Sequence, residues 1–139
     1  MTKLSFDYNK LLKKAMEAVP ASSRVIKRFE VPTVISEIQG NKTLIKNFGK
    51  IVKTLRRDVN HLSKFLFKQL ATPGEKRDTV LILQRKVSHR MLQQKIEEYV
   101  KEYVYCKECG KPDTKLVKED RFTFMKCEAC GAKYPIRNV

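Results

Sequence analysis

Apolar side chains recur along this chain with two different periods, and the changes of period mark out its elements. Between residues 7 and 19, Tyr8, Leu11, Leu12, Ala15, Met16 and Val19 fall at helical spacing on one stripe, with Lys10, Lys13, Lys14 and Glu17 facing away. Asp7 is placed to cap this helix, and Pro20 disfavours helical backbone at Val19. The following "PASSR" reads as a linker. From Val25 to Lys46 the pattern is extended, carried by Val25, Ile26, Phe29, Val31, Val34, Ile35, Ile38, Leu44 and Ile45 and interrupted by Pro32 and Gly40. Its turn signal "QGNKT" predicts a hairpin-like pair over "TVISEIQGNKTLIKN".

The period then lengthens again. Phe48, Ile51, Val52 and Leu55 line one helix, and Asp58 caps a second whose stripe is Leu62, Phe65, Leu66 and Leu70. "ATPGEKRDT" reads as a loop leading into the short strand-like run "VLILQ". Ser88 caps a last helix carrying Leu92, Ile96, Tyr99, Val100 and Tyr103, which runs almost directly into Cys106. Extended, helical, extended and helical segments in that order predict an α+β core and not repeated βαβ units.

All four cysteines follow that helix, as the pairs Cys106/Cys109 and Cys127/Cys130 in a C-x2-C-x17-C-x2-C frame. Tight spacing within each pair lets two thiolates from one turn approach one tetrahedral ion, so the frame predicts one structural zinc ion. Gly110 and Gly131 suit the positive φ at the end of such a knuckle. "TKLVKED" and "RFTFMK" read as two short strands between the pairs, with "AKYPI" a possible third, which is the layout of a zinc ribbon. Two disulfides, or a redox dithiol, are the alternatives; the first suits a cytosolic protein poorly, and the second leaves one pair unexplained. Four thiolates leave no open position for a catalytic water. About 35 residues make too small a core to fold unaided, so metal binding is expected to supply the stability. The expected organisation is a helix over 1–20, an α+β core over 21–104 and a ribbon over 105–139.

Charge narrows the partners. The 139 residues carry a formal net charge of +15, with pI about 9.8, and a zinc tetrathiolate would leave about +13. Such an excess favours a polyanion, RNA or DNA, over the plainer account of a solvated lysine-rich surface. Residues 21–104 hold 18 basic and 8 acidic side chains and are the main electrostatic surface. Three basic groups stand out as candidate backbone-phosphate contacts: Lys50, Lys53, Arg56 and Arg57; Arg85, Lys86 and Arg90; and, on the ribbon, Lys115, Lys118, Arg121 and Lys126. No apolar run approaches the roughly 20 residues needed to span a bilayer. The amino-terminal stretch lacks a signal-peptide h-region, so a cytoplasmic protein without a membrane partner is expected. There is no G-x-x-x-x-G-K-[ST] loop, and His61 and His89 have no nucleophile paired to them in sequence. No catalytic constellation is visible, and the chain is expected not to be an enzyme.

In "QGNKTLIKNF", "LRRDVNHLSKFLFKQL", "EYVKEYVYCKECGKPDT" and "KLVKEDRFTFMKCEACGA", together with the cysteine frame, residues 24–139 resemble the beta subunit of the archaeal translation initiation factor two. "FDYNKLLKKAMEAVP" is similar to that family's first helix. The resemblance implies a non-catalytic subunit of a heterotrimer. Its gamma subunit is the GTPase and carries methionyl initiator tRNA to the small ribosomal subunit, and an alpha subunit completes it. It also implies docking on gamma through the first helix, for which Tyr8, Leu11, Leu12 and Met16 are the expected contacts. The lysine-block extension of the eukaryotic version has no counterpart before this helix, which points to an archaeal source. Two other readings remain: a regulator like the amino-terminal half of eukaryotic initiation factor five, and a zinc-ribbon transcription factor.

Overall fold

Helix α1 (Tyr8–Ala18) forms where the stripe predicts it. The Asp7 carboxylate accepts from the Asn9 N–H at 3.1 Å, and the chain turns extended at Val19. None of its side chains is buried. The computed structural model describes residues 7–19 and 29–139, so the expected linker and the start of the extended run, Val25 and Ile26, lie outside the described residues. The chain divides into two compact units, residues 1–30 and 31–139, and α1 belongs to the first.

The second unit opens with the expected hairpin, β1 (Ser36–Gln39) and β2 (Lys42–Ile45), in which Gln39 pairs with Lys42 across a two-residue turn. Gly40 takes φ 60° at its first position, a backbone value that favours glycine. Helices α2 (Phe48–Leu55) and α3 (Val59–Gln69) follow, the second capped by the Asp58 carboxylate on the Asn60 N–H at 3.2 Å. Strands β3 (Gly74–Arg77) and β4 (Val80–Leu83) form a second hairpin, and α4 (His89–Tyr103) starts at Ser88, whose hydroxyl accepts from the Met91 N–H. The four strands make one antiparallel sheet in the order β1-β2-β4-β3. Ile45, Leu81 and Leu83 on the sheet and Phe48, Ile51, Leu62, Leu66, Leu92 and Ile96 on the helices are buried together as the core. Thr43 is the polar member of that layer; its hydroxyl donates to the Arg85 carbonyl at 2.7 Å and accepts from the Val87 N–H at 2.9 Å.

Two expectations need correction. "ATPGEKRDT" is not wholly loop, because Gly74–Arg77 pairs along its length with β4. An edge strand with one half-buried and three exposed residues shows no apolar alternation, and its ladder comes from an apolar partner. In the other direction, residues 31–35 stand outside the strand, which begins only at Ser36. The Ile35 carbonyl still accepts from the Lys46 N–H at 2.9 Å, and side chains hold the rest: Asn47 accepts from the Ile35 N–H and donates to the Thr33 carbonyl, Gln93 accepts from the Val34 N–H, and the Val34 carbonyl accepts from His89 Nε2.

The ribbon sheet, β5 (Thr114–Glu119), β6 (Phe122–Cys127) and β7 (Lys133–Ile136), is antiparallel in chain order. It shares the second unit with the core, and Arg57 joins the two. Helix α2 closes on Arg56 in the left-handed region, φ 51°, which carries the chain away from the helical path and turns the next side chain inward. Arg57 is only 7% exposed. It donates to the Tyr103 carbonyl from Nε at 3.1 Å and Nη2 at 2.7 Å, to the Thr114 carbonyl at 2.8 Å, to Thr114 Oγ1 at 2.6 Å and to the Arg56 carbonyl at 3.0 Å. Thr114 Oγ1 in turn donates to the Val104 carbonyl. The expectation that Arg57 presents itself to phosphate is therefore overturned; its donors are spent inside the protein.

Beside it, His61 Nδ1 lies 2.8 Å from the Tyr99 hydroxyl, and its ring meets Tyr99 and Tyr103 edge-on at 5.7 and 5.1 Å. Burial first, and then the Arg57 charge, hold the His61 pKa below its usual value. The folded chain thus keeps His61 neutral at pH values where the unfolded chain, with a histidine pKa of about 6.5, takes up a proton. The stability this represents is present above that pH and is lost as pH falls below it. The melting temperature should drop between pH 7 and 5, and His61→Gln should make that drop smaller.

Removing the Arg57 fork leaves the Tyr103 and Thr114 carbonyls without their donor. Arg57→Met should lower unfolding free energy by about 3 kcal/mol, measured by denaturant titration. Arg57→Lys should recover little of the loss, because one ammonium cannot reproduce the fork.

Candidate metal centre and basic faces

The two knuckles are built alike. Cys106 N–H donates to the Lys111 carbonyl and Gly110 N–H to the Cys106 carbonyl, while Cys127 N–H donates to the Ala132 carbonyl and Gly131 N–H to the Cys127 carbonyl. Each turn closes through glycine at positive φ, 68° at Gly110 and 76° at Gly131. The four sulfurs lie within 4.8 Å of one another, with Cys106 to Cys130 at 3.7 Å and Cys109 to Cys127 at 3.5 Å. A disulfide needs about 2.05 Å. Thiolates at about 2.3 Å from a tetrahedral ion stand about 3.8 Å apart, so the spacing fits a metal ion and not two disulfides.

Local amides prepare the site. The Cys109 and Glu108 N–H groups hold the Cys106 pKa down to about 7, and those of Cys130 and Ala129 lower Cys127. Cys130 receives the Ala132 N–H, yet partial loss of hydration and its three neighbouring thiols push it up to about 12. Four charges this close require a cation among them. Cys106 and Cys127 are buried, Cys109 is half-buried and Cys130 is exposed. Tyr134 closes one side, its hydroxyl accepting from the Lys107 N–H at 3.1 Å and donating to Met125 Sδ at 3.0 Å.

The predicted basic residues are dispersed. Lys50, Lys53 and Arg56 are exposed along α2 and its cap, and only Arg57 of that group is withdrawn. Arg85, Lys86 and Arg90 are exposed around the start of α4, where Arg85, Lys86 and Lys95 line an open depression with Met91. On the ribbon, Lys115 and Lys126 are direct cross-strand partners, whereas Lys118 pairs with Thr123 on the other face and Arg121 sits in the β5–β6 turn. Lys133, which the charge pattern did not single out, stands opposite Lys126. The signal for it was the period of two in "AKYPI", but its register against β6 is set by the fold. On α1, Tyr8, Leu11, Leu12 and Met16 are 73, 48, 43 and 57% exposed. Among the described residues no helix is long and apolar enough to cross a membrane.

Comparison with known proteins bears on what this arrangement serves. Residues 20–133 match the family model for the domain found in initiation factors 2B and 5. The chain is 48% identical over 134 residues to the translation initiation factor 2 subunit beta of Methanococcus maripaludis strain C5, covering 96% of this chain and 97% of that one. The protein of that name from Methanococcus vannielii is equally similar over the same shares. That from Methanosphaera stadtmanae is 44% identical over 133 residues, covering 96% and 94%.

Purified without chelators, the chain should carry one metal ion by native mass spectrometry. Cys127→Ser should abolish it and raise hydrogen exchange across residues 105–139, with α2 and α3 still protected. An ordered ribbon in metal-free wild type would refute the assignment.

Proposed function

We propose a function from one premise: the chain belongs to the translation initiation factor 2 beta-subunit family. It is the non-catalytic beta subunit of the heterotrimer that delivers methionyl initiator tRNA to the small ribosomal subunit in a GTP-dependent manner. It works in the cytoplasm, docks on the gamma GTPase subunit beside alpha, and adds contacts to RNA and ribosome. The ion held by Cys106, Cys109, Cys127 and Cys130 is a single structural zinc, which suits an all-thiolate tetrahedral set. It leaves no open position for catalysis.

The observation that carries the docking role is α1, an 11-residue helix with an apolar stripe and no buried side chain. A helix of this length is marginal in water and gains its order from what it packs against. Tyr8, Leu11, Leu12 and Met16 are its anchors for a hydrophobic groove on gamma. At about 25 cal/mol/Å², burying that stripe contributes several kcal/mol before ordering costs are subtracted. The matched domain description also names initiation factor five, but the relatives named as beta subunits match over 96% of the chain and 94–97% of their own length, which supports the beta-subunit reading. Lys50, Lys53 and Arg56 on α2, and Arg85, Lys86 and Arg90 beside α4, serve as phosphate contacts that position RNA without reading its sequence.

Changing Leu12 and Met16 to aspartate should abolish co-purification with the gamma subunit while leaving the melting temperature of the isolated chain nearly unchanged. A large fall in that temperature would instead place the stripe in the protein's own core and remove the docking assignment.

A further inference from the structure

The ribbon sheet has two unlike faces. Leu116, Met125 and Tyr134 form one cross-strand row, on the face shared with Thr114 and Cys127. On the opposite face the register sets Lys115, Lys126 and Lys133 directly across from one another on three adjacent strands, all exposed. The next row is Val117, Phe124 and Pro135, and the last is Glu119 and Phe122. Like charges directly opposite destabilise a sheet, and neither the fold nor the metal site needs three lysines in register. Lys133 Nζ lies 4.8 Å from the Phe124 ring centroid and contacts Glu119, and Lys115 pairs with Glu128 at 3.2 Å. These pairs are about half exposed and exchange readily for another anion. Lys126, between them, makes no ion pair among the described residues.

Along β6, Phe122, Phe124 and Lys126 follow one another on this face at about 6.8 Å per step. Phe122 is 64% exposed, an apolar ring left in water two rows along this face from the lysines, opposite Glu119. An exposed ring on the same open face as a row of ammonium groups forms a stacking platform for an unpaired base, with sites for the phosphates of its strand. A duplex hides its base faces and has no use for the ring.

We propose that this ribbon face binds single-stranded RNA, one base stacking on Phe122 and the strand crossing Phe124, with phosphates on Lys126, Lys115 and Lys133. The proposal rests on the reading of the chain as an RNA-contacting initiation factor subunit and names the kind of RNA that one of its surfaces takes. It differs from the phosphate contacts on α2, which carry no ring.

The test is fluorescence anisotropy with the full metal-loaded chain, an unstructured labelled RNA of about 12 nucleotides, and the same sequence as a duplex. The single strand should bind more tightly than the duplex at equal salt. Phe122→Ala should weaken it at least about fivefold without changing the salt slope, and Phe122→Tyr should restore it. Lys126→Ala should lower the log–log salt slope by about 0.7. Metal content and melting temperature should match wild type in all three. Unchanged single-strand affinity in both Phe122→Ala and Lys126→Ala overturns the platform. If Lys53→Ala/Arg56→Ala then weakens binding, RNA contact by the chain stands and only its place is wrong. If wild type binds neither the single strand, initiator tRNA nor small ribosomal subunits, the underlying reading falls with it.

Discussion

Moving a guanidinium out of water costs several kcal/mol, and at Arg57 that cost is offset by carbonyl and hydroxyl oxygens alone. Burial lowers the Arg57 pKa from its ordinary value, but arginine stays charged, so the positive charge must be held by dipoles. Tyr103 supplies the strongest of them. It is the last residue of α4, where unpaired carbonyls carry the negative end of the helix dipole, and it accepts from two Arg57 nitrogens. Thr114, the first residue of β5, supplies two more oxygens, and the Arg56 carbonyl supplies the last. One side chain from the α2–α3 corner thereby ties the end of the core's last helix to the start of the ribbon's first strand.

The metal site complements that joint, because a ribbon this small needs fastening at more than one place. Its own buried centre is little more than Met125, Cys127 and Thr114. The cysteines gather residues 106–109 and 127–130, and Arg57 holds Thr114, which lies between them in the chain. The three fastenings run together at residues 103–106: Tyr103 accepts from Arg57, Val104 accepts from Thr114, and Cys106 is the first thiol. All three of these residues are buried. Only four residues thus separate the first thiol from the end of α4, where His61, Phe65, Tyr99 and Tyr103 pack ring against ring.

What could be read from the sequence was local, and what could not was tertiary. Asp7, Asp58 and Ser88 cap the helices they were expected to cap, because a cap acts within three residues of itself. The stripes of α2, α3 and α4 are buried as expected, since a helical period is visible in one strand of text. The cysteine frame was equally legible, as each knuckle is a five-residue structure. Strand β3 was missed because three of its four residues are exposed and polar. Arg57 was misplaced because grouping it with Lys50 and Lys53 assumes that one helix continues through it, whereas the left-handed turn at Arg56 ends the helix. Lys118 was grouped with Lys115 although three residues along a strand change faces, and Lys133 joined them only through the β6–β7 register.

That left-handed turn also separates two roles in adjacent residues. Arg56 faces water beside Lys50 and Lys53, while Arg57 faces the joint, so the basic surface of α2 begins one residue from the fastening that fixes the ribbon. The lysine row across β5, β6 and β7 therefore stands in a set relation to the basic surface of α2, and both lie in the unit of residues 31–139. Exposed lysines each contribute little, and two weak faces on a loose tether would gain little from one another. Under the proposed RNA contacts, holding the two faces in one body presents the second at a high effective concentration once the first is engaged, so modest contacts add up where the geometry of the RNA matches their separation. On this account the cost of burying Arg57 is met for geometry more than for stability. A forked donor fixes the ribbon's orientation against a helix terminus and a strand at once, which neither an apolar side chain nor a single ammonium can do.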